Sequence, residues 1–197
     1  MALLHDDALN TLFRDARSHN GWKDVPVTED ELRQAYDLAK FGPTSANCSP
    51  MRVVFLTTPE AIARLLPAMS EGNQDKTRTA PVVAIFANDS KFYDRIPELF
   101  PHNPGAREWF TGSEAAAQAT AFRNGTLQAA YFMLAARSVG LDCAPMSGFD
   151  PAKVEAEFFP NGQDKVNFIC ALGHGDHDKV FPRLPRLAFE DACRVER

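Results

Sequence analysis

The feature that most constrains the fold is the alanine-rich segment 113–140, "SEAAAQATAFRNGTLQAAYFMLAARSVG". It is the longest helical signal in the chain and carries few charges, so the helix should be buried over much of its circumference. A subunit interface is one place for such a helix. Gly125 in its middle lowers helix stability, which predicts close approach by a ligand or another backbone at this point.

The sequence on either side of this segment predicts further helices and strands. A helix is predicted in "VTEDELRQAYDLAKFGP", because Thr28 and Glu31 have the spacing of a capping box and Gly42-Pro43 ends the pattern. Asp150 should cap a helix in "GFDPAKVEAEFF". Further helices are predicted in "DDALNTLFRDARSH", which runs into Arg17 and Ser18, and in "PEAIARLLPAM", and strands are predicted in "MRVVFLT", "PVVAIFAND" and "KVNFICALG". This order predicts one domain over residues 1–197, an α+β or α/β sandwich.

Charge and cysteine content exclude several classes of function. A net charge of −5 argues against a nucleic-acid partner, which would require a basic surface. No segment approaches the roughly 18 consecutive apolar residues of a membrane helix, and the start lacks a signal-peptide pattern, so a cytoplasmic protein without membrane contact is expected. Four cysteines without C-x-x-C spacing favour neither disulfides nor a zinc site.

Three local motifs have a chemical and a structural interpretation. Cys48, in "KFGPTSANCSPM", could be a nucleophile, but no histidine lies near it in sequence and a packed thiol is favoured. "GHGDHD" offers His174, Asp176 and His177 as metal ligands, although a solvated turn is favoured and no metal is expected. Neither G-x-G-x-x-G after a strand nor a P-loop motif occurs.

Arginines and amides form a distributed anion-binding pattern. The chain has 14 arginines against 7 lysines, and the arginine fork binds phosphates and carboxylates in a bidentate manner. Arg17 and Ser18 follow the first helix, and prolines stiffen the segment that carries Arg183 and Arg186. Further polar positions lie in "GNQDK" and "APMSGFD", which add Asn73, Lys76 and Gly148. Each patch alone is better explained as solvated surface.

Together and in order, these segments resemble the nitroreductase family of FMN-dependent oxidoreductases. The resemblance is carried by "ARSHNGW", "GPTSANCSP", "GNQDK", "APMSGFD" and "RLPRL". "FPHNPGAREWF", "TAFRN" and "RLPRLAFEDAC" are similar to the branch of the family that reduces malonic semialdehyde in pyrimidine degradation. The family implies an α+β fold, an α-β-α sandwich with a central mostly antiparallel sheet. It also implies a homodimer with FMN at the subunit interface.

The resemblance also implies which residues bind the cofactor. On the phosphate side it implies Arg17, Ser18 and Arg186. Asn20 and Leu184 stand where relatives carry basic residues, so positive charge is lost from the phosphate pocket. Arg183 and His19 would compensate for that loss. Asn73 and Lys76 match positions beside the flavin's pyrimidine ring. The segment passing the isoalloxazine corresponds to Pro145, Met146, Ser147 and Gly148, and the segment reaching across from the partner corresponds to Pro43, Thr44, Ser45 and Asn47.

The implied activity is reduction of malonic semialdehyde to 3-hydroxypropionate by NADH or NADPH, with hydride passing through flavin N5 in ping-pong fashion. FMN carries the chemistry, so no catalytic side chain is assigned. Arg52 or another arginine would hold a substrate carboxylate. The alternatives are a broad nitro, quinone or flavin reductase, a flavin-binding protein without catalysis, and a Cys48 hydrolase.

Overall fold

In the computed structural model, which describes residues 3–197, the regular structure consists of nine α-helices, four strands, five short 3₁₀ turns and one π-helical turn. Helices α1 to α9 span Asp6–Leu9, Glu29–Ala39, Pro59–Leu65, Glu71–Arg78, Ile96–Leu99, Glu108–Thr111, Glu114–Ser138, Pro151–Phe158 and Phe189–Ala192. Strands β1 to β4 span Met51–Leu56, Val82–Asp89, Asp142–Met146 and Asp164–Gly173. The three strands predicted from the sequence correspond to β1, β2 and β4.

The four strands form one antiparallel sheet in the order β1-β2-β4-β3. Every residue of β2 is buried, which requires both faces of the sheet to be covered. Successive side chains of a strand point to opposite faces. Val83 and Ile85 accordingly belong to one hydrophobic cluster, and Val82, Ala84 and Phe86 belong to another.

Helices cover the two faces of the sheet. On one side, Ile62 and Leu65 of α3 and Val154 of α8 pack in the first cluster. On the other, α2 and α7 contribute Leu32, Ala35, Ala39, Ala129, Phe132, Ala135 and Ala136. The fold is therefore an α+β sandwich of three layers with a central antiparallel sheet, as predicted.

Two predicted helix caps are confirmed. At the start of α2, the Thr28 amide donates to the Glu31 carboxylate over 2.7 Å, and the Glu31 amide donates to Thr28 Oγ1 over 3.3 Å. The two hydrogen bonds form the capping box expected from the sequence. At α8, Asp150 Oδ1 accepts from the Ala152 amide over 3.0 Å.

The end of the first helix differs from the prediction. Helix α1 continues as a π-helical turn, Asn10–Arg14, and the helix does not run into Arg17 and Ser18. Ser18 instead has extended backbone and forms a parallel bridge with Cys143 of β3. Pairing with the sheet competes with helix continuation here, a long-range contact that local helical periodicity does not record.

Gly125 lies in the buried face of α7, and the close approach predicted there is real. The neighbour is a side chain, however, and neither a ligand nor a backbone: a Cβ at Gly125 would overlap the amide oxygen of Asn88. Asn88 is itself buried on β2. Because glycine has no Cβ, α7 can pack directly against Asn88 near the end of β2.

The last residues form an extended C-terminal arm, residues 180–197, almost all of it exposed. Five large apolar side chains of the arm are 60–74 % exposed: Phe181, Leu184, Leu187, Phe189 and Val195. Such a density of exposed apolar side chains is typical of a surface that another chain covers.

Candidate functional site

A cleft of about 560 Å³ lies between the end of the first helix and the base of the C-terminal arm. Four arginines line it: Arg17, Arg137, Arg183 and Arg186. The remaining lining residues are apolar or uncharged, so no carboxylate faces these guanidiniums. None of the four forms an ion pair with any residue in the range 3–197.

Main-chain carbonyls hold the guanidiniums of this cleft in place. Arg17 donates to the Phe181 carbonyl, and Arg183 donates to the carbonyls of Arg14 and Ala16 over 2.5 and 3.0 Å. Arg137 of α7 donates to the Leu12 carbonyl over 3.1 Å. These contacts orient the side chains and leave their charge uncompensated, an arrangement suited to an anion such as a phosphate.

The structure brings Arg17, Ser18, Arg183 and Arg186 together in this cleft and adds Arg137, which the sequence analysis missed. Its only sequence signal is a basic residue in the last turn of the long helix. Asn20 and Leu184 also line the cleft. His19 does not, because its ring is 1 % exposed and packs beside Asp142 and His177.

A second group of polar residues surrounds Gly148, just after β3. Its carbonyl accepts hydrogen bonds from the Ser70 amide and hydroxyl over 3.0 and 2.8 Å and from Asn73 Nδ2 over 3.0 Å. Asn73 and Lys76 lie on α4, and Lys76 has no ion-pair partner among the described residues. Asn73 and Lys76 are three positions apart on α4 and therefore neighbours on the helix surface, and Asn73 contacts the Gly148 carbonyl.

The four residues 145–148 differ in what they can present to a ligand. Pro145 and Ser147 are exposed and Gly148 is half-buried. The Met146 side chain is buried in the core, where its sulfur accepts from Thr77 Oγ1 over 3.6 Å. Met146 can contact a ligand only through its backbone. Strand β3 joins this group to the arginine cleft, since Ser18 pairs with Cys143, about 17 Å of extended chain before Gly148.

The loop 43–49 has a strained backbone. Ala46, Asn47 and Ser49 have φ of 48°, 49° and 40°, the left-handed region that residues with side chains rarely adopt. Strain of this kind costs of order 1–3 kcal/mol per residue and persists only where surroundings enforce it. Here the Ser45 amide donates to Asn124 Oδ1 over 2.9 Å, and Asn47 Nδ2 donates to the Leu99 carbonyl over 2.8 Å.

This loop lies far from the arginine cleft within one chain. It is anchored to Asn124, whereas the cleft includes Arg137 of the same helix. Thirteen residues of α-helix separate the two, about 20 Å along the axis. Pro43, Ser45 and Asn47 are exposed and Thr44 is half-buried. The loop thus presents polar side chains outward, away from its own chain's cleft.

Cys48 is a packed thiol, as favoured from the sequence. It is 1 % exposed in a small cluster with Phe92 and Ile96, and burial raises the pKa of its thiol to about 11. The thiolate is therefore scarce at neutral pH, and the nucleophile hypothesis loses its support.

Arg52 is not available to hold a substrate carboxylate. Its guanidinium forms a 2.5 Å ion pair with Asp89, whose side chain is 5 % exposed. Gln163 Nε2 and the Lys91 amide also donate hydrogen bonds to Asp89, so the cluster stabilises the end of β2. This ion pair counts against the hypothesis for Arg52, because a buried partner that sequence spacing does not reveal already engages its guanidinium.

A larger groove, of about 780 Å³, lies between α2 and β1. Glu29 and Asp37 line it together with one arginine, Arg33, which is paired with Glu29 over 2.5 Å. Its charge does not suit a phosphate, and none of the predicted binding residues lies there. The arginine cleft is therefore the better candidate for an anionic ligand despite its smaller volume.

The fold is a three-layer α+β sandwich whose edge strand β3 pairs with Ser18, a residue of the arginine cleft. Residues 14–174 match the nitroreductase family. HadB of Ralstonia pickettii, provisionally named a NADH dehydrogenase/NAD(P)H nitroreductase, is 59 % identical over 95 % of this chain and 97 % of its own. A protein from Cupriavidus pinatubonensis with the same type of name is 54 % identical, over 96 % of this chain and 98 % of its own. The chain belongs to the nitroreductase family.

Solved structures are similar in fold at lower identity. A protein from Exiguobacterium sibiricum, provisionally called a nitroreductase and solved in complex with FMN, superposes with a TM-score of 0.87 at 19 % identity, covering 100 % of both chains. YdfN of Bacillus subtilis superposes with a TM-score of 0.85 at 20 % identity, over 98 % of this chain and 100 % of its own. Within residues 3–197, no helix has both the length and the apolar character needed to span a membrane.

Proposed function

We propose that this protein is an FMN-dependent NAD(P)H oxidoreductase. One observation carries the proposal: four arginines without carboxylate partners share a cleft that β3 connects to the polar group around Gly148. A phosphate at one end and a flat, polar heterocycle at the other are the two chemistries that these ends fit. The names of the relatives, which include NAD(P)H and FMN, agree with this assignment.

Each group of residues has a task in this proposal. Arg17, Arg183 and Arg186, with Ser18 beside them, would hold the phosphate, and Arg137 adds a fourth positive charge. Asn73 and Lys76 would face the polar edge of the ring, where Lys76 can balance negative charge that develops on reduction. Pro145 to Gly148 would present backbone to the ring. FMN, when bound, would supply hydride transfer from NADH or NADPH to a second substrate.

A homodimer is part of the proposal, because the loop 43–49 is anchored at Asn124, about 20 Å along α7 from the cleft of its own chain. Pro43, Thr44, Ser45 and Asn47 lie toward the other end of α7 from the cleft and would complete the partner's site. The proposal is supported by the exposed apolar side chains of the arm and by Phe122, Leu127 and Tyr131 on α7, which are 57 %, 46 % and 42 % exposed. Contact between two chains would cover these surfaces.

For the acceptor we propose malonic semialdehyde, reduced to 3-hydroxypropionate. A small carboxylate substrate requires a cation, and Arg52 is occupied by Asp89. Arg123 on α7 is exposed, has no ion pair within residues 3–197, and immediately precedes Asn124, which anchors the loop. We assign the substrate carboxylate to Arg123. Nitroaromatic compounds or quinones are the second candidate, favoured by the nitroreductase names of the relatives.

Visible absorption spectra of the purified protein, before and after addition of FMN and gel filtration, test the cofactor. We expect a retained flavin spectrum and an increased melting temperature. A protein that stays colourless and shows no thermal shift contradicts the flavin assignment. Retention of FMN without any NADH or NADPH oxidation, for every acceptor tried, would identify a binding protein without catalysis.

Steady-state rates distinguish the acceptors. We expect kcat/KM for malonic semialdehyde to exceed the value for nitrofurazone or a quinone when NADH or NADPH is the donor. Much faster nitro reduction would contradict the aldehyde assignment and favour the broad reductase. Light scattering on a size-exclusion column tests the dimer, and a monomer that retains FMN at full affinity would contradict the shared site.

A further inference from the structure

We infer that His19, Asp142 and His177 form a binding site for one zinc-like divalent metal ion. Their potential ligand atoms, one from each residue, all lie within 4.8 Å of one another. Two imidazoles and one carboxylate are a ligand set that Zn²⁺ accepts, with a water in the fourth position. The inference concerns residues outside the arginine cleft and does not depend on the proposed oxidoreductase activity.

The state of His19 points to a missing ligand. Its ring is 1 % exposed, and neither Nδ1 nor Nε2 has a hydrogen-bond partner among the described residues. Buried polar atoms are almost always satisfied, and leaving one unpaired costs about 1–3 kcal/mol. An imidazole with two buried nitrogens and no hydrogen bond is therefore unusual, and coordination of an ion would satisfy Nε2, the nitrogen that lies beside Asp142.

The separation of the first two ligands fits a metal better than a hydrogen bond. His19 Nε2 lies 3.3 Å from Asp142 Oδ1, yet the pair does not have hydrogen-bond geometry. Ligands about 2.0–2.1 Å from a tetrahedral Zn²⁺ are about 3.3–3.4 Å apart. His177 is exposed, its potential ligand atom lies within 4.8 Å of the other two, and its ring is edge-on to that of His19.

The surroundings orient these ligands. Asp142 Oδ2 accepts a hydrogen bond from the Gly175 amide over 2.9 Å, which leaves Oδ1 directed toward His19. Gly175 itself is required here, because a Cβ at this position would overlap the His19 ring.

Of the three candidate ligands that the sequence analysis took from "GHGDHD", only His177 joins this cluster. His174 lies toward Glu31, 3.9 Å from its carboxylate, and Asp176 accepts from the Asp178 amide over 3.1 Å. The other two ligands come from distant positions in the chain. The metal would tie the turn His177–Lys179, just before the C-terminal arm, to β3 and to the segment after Arg17.

The test uses the full-length protein without a histidine tag, treated with EDTA and then exchanged into metal-free buffer. Added ZnCl₂ should bind once per chain, and at about 100-fold above its Kd it should raise the melting temperature by roughly 5–10 °C. CoCl₂ should produce the visible absorption bands of a tetrahedral Co²⁺ site, measured as a difference spectrum so that bound flavin cancels.

Variants separate this site from incidental binding. His177→Ala lies on an exposed turn and Asp142→Asn keeps the carbonyl that accepts from Gly175, so each should fold and lose at least about tenfold in metal affinity. His174→Ala is the matched control, three residues away in the same loop, and should bind as the unmodified protein does. The inference is overturned if the unmodified protein shows neither thermal shift nor Co²⁺ bands. It is equally overturned if His177→Ala and Asp142→Asn bind as tightly as the control.

Discussion

The amide of Ser45 donates a 2.9 Å hydrogen bond to the side-chain oxygen of Asn124, in the middle of the longest helix. Asn124 is 1 % exposed, and its own amide donates to the Thr120 carbonyl over 2.8 Å. The strained loop 43–49 is therefore held by a buried side chain that already belongs to a rigid element. Rigid support of this kind is what allows a loop to keep an unfavourable backbone conformation.

Asn124→Ala removes that support. It leaves the Ser45 amide without its partner, so the free energy of unfolding should fall by about 1–3 kcal/mol in urea titrations. Gln118→Ala is the control on the same helix, because Gln118 is exposed and donates only to Glu114. Its effect should stay within about 0.5 kcal/mol. Equal stability of the two variants would show that the hydrogen bond does not support the loop.

Under the proposed function, Arg186→Gln should weaken FMN binding about tenfold or more, because it would remove a charge-assisted contact to the phosphate. Arg186 donates only to the carbonyls of Leu184 and Pro185 in its own segment, so its loss should disturb little else. Flavin fluorescence titration measures the affinity. Arg194→Gln removes the same charge from the same arm, where Arg194 pairs with Glu196 outside the cleft, and should bind FMN normally. Equal weakening in both variants would indicate a general charge effect.

Arg123→Gln should raise the KM for malonic semialdehyde about tenfold and leave the KM for nitrofurazone unchanged, since only the first substrate has a carboxylate. Rates at saturating NADH or NADPH give both values. Arg33→Gln, in the groove between α2 and β1 and outside the arginine cleft, serves as the control for loss of one positive charge. A parallel increase for both acceptors would remove Arg123 from substrate recognition.

Thiol labelling distinguishes Cys48 from a reactive nucleophile. Cys193 is exposed, whereas Cys48 is buried and its pKa is raised to about 11. Iodoacetamide at mildly alkaline pH should modify Cys193 first in the native protein, as measured by peptide mass spectrometry. Cys48→Ser should lower activity only modestly. Complete inactivation by that substitution, with folding intact, would revive the Cys48 hydrolase hypothesis.

The capping box makes stability depend on pH in a defined direction. Hydrogen bonds from the Thr28 amide and hydroxyl lower the pKa of Glu31 below its ordinary value of 4.5. The ionised carboxylate therefore favours the folded state, and its contribution is present above pH 4.5 and lost as the pH falls through the folded pKa. Compared with Glu31→Gln, the protein should be more stable by about 0.5–1 kcal/mol at neutral pH.

That difference should disappear in acid, as measured by urea unfolding across the pH range. Glu29→Gln is the control from the same first turn, because Glu29 makes no capping hydrogen bond and pairs with Arg33. A difference for Glu31→Gln that persists unchanged at low pH would show that ionisation of the box does not contribute.

Local patterns in the sequence predicted the helix caps and strands that depend on residues close together in the chain. The Thr28–Glu31 cap, the Asp150 cap and the three strands are encoded within a few positions of each other. The family resemblance predicted the sandwich, and it grouped Arg17 with Arg183 and Arg186, which the structure places in one cleft.

Contacts between distant segments were beyond such reasoning. Arg137 reaches the cleft from the far end of α7, and the pairing of Ser18 with Cys143 ends the first helix early. Arg52 on β1 forms an ion pair with Asp89 on the neighbouring strand β2, 37 positions away in the sequence. Each of these depends on how the sheet and its helices meet, which no local period or spacing records.

The separation of the loop 43–49 from the arginine cleft along α7 has a genetic consequence in the proposed dimer. Each site would combine the cleft of one chain with the loop of the other. A chain damaged only in its cleft and a chain damaged only in its loop would then assemble into mixed dimers with one intact site each. After random association about a quarter of all sites would be functional, so two inactive alleles would complement each other in one cell.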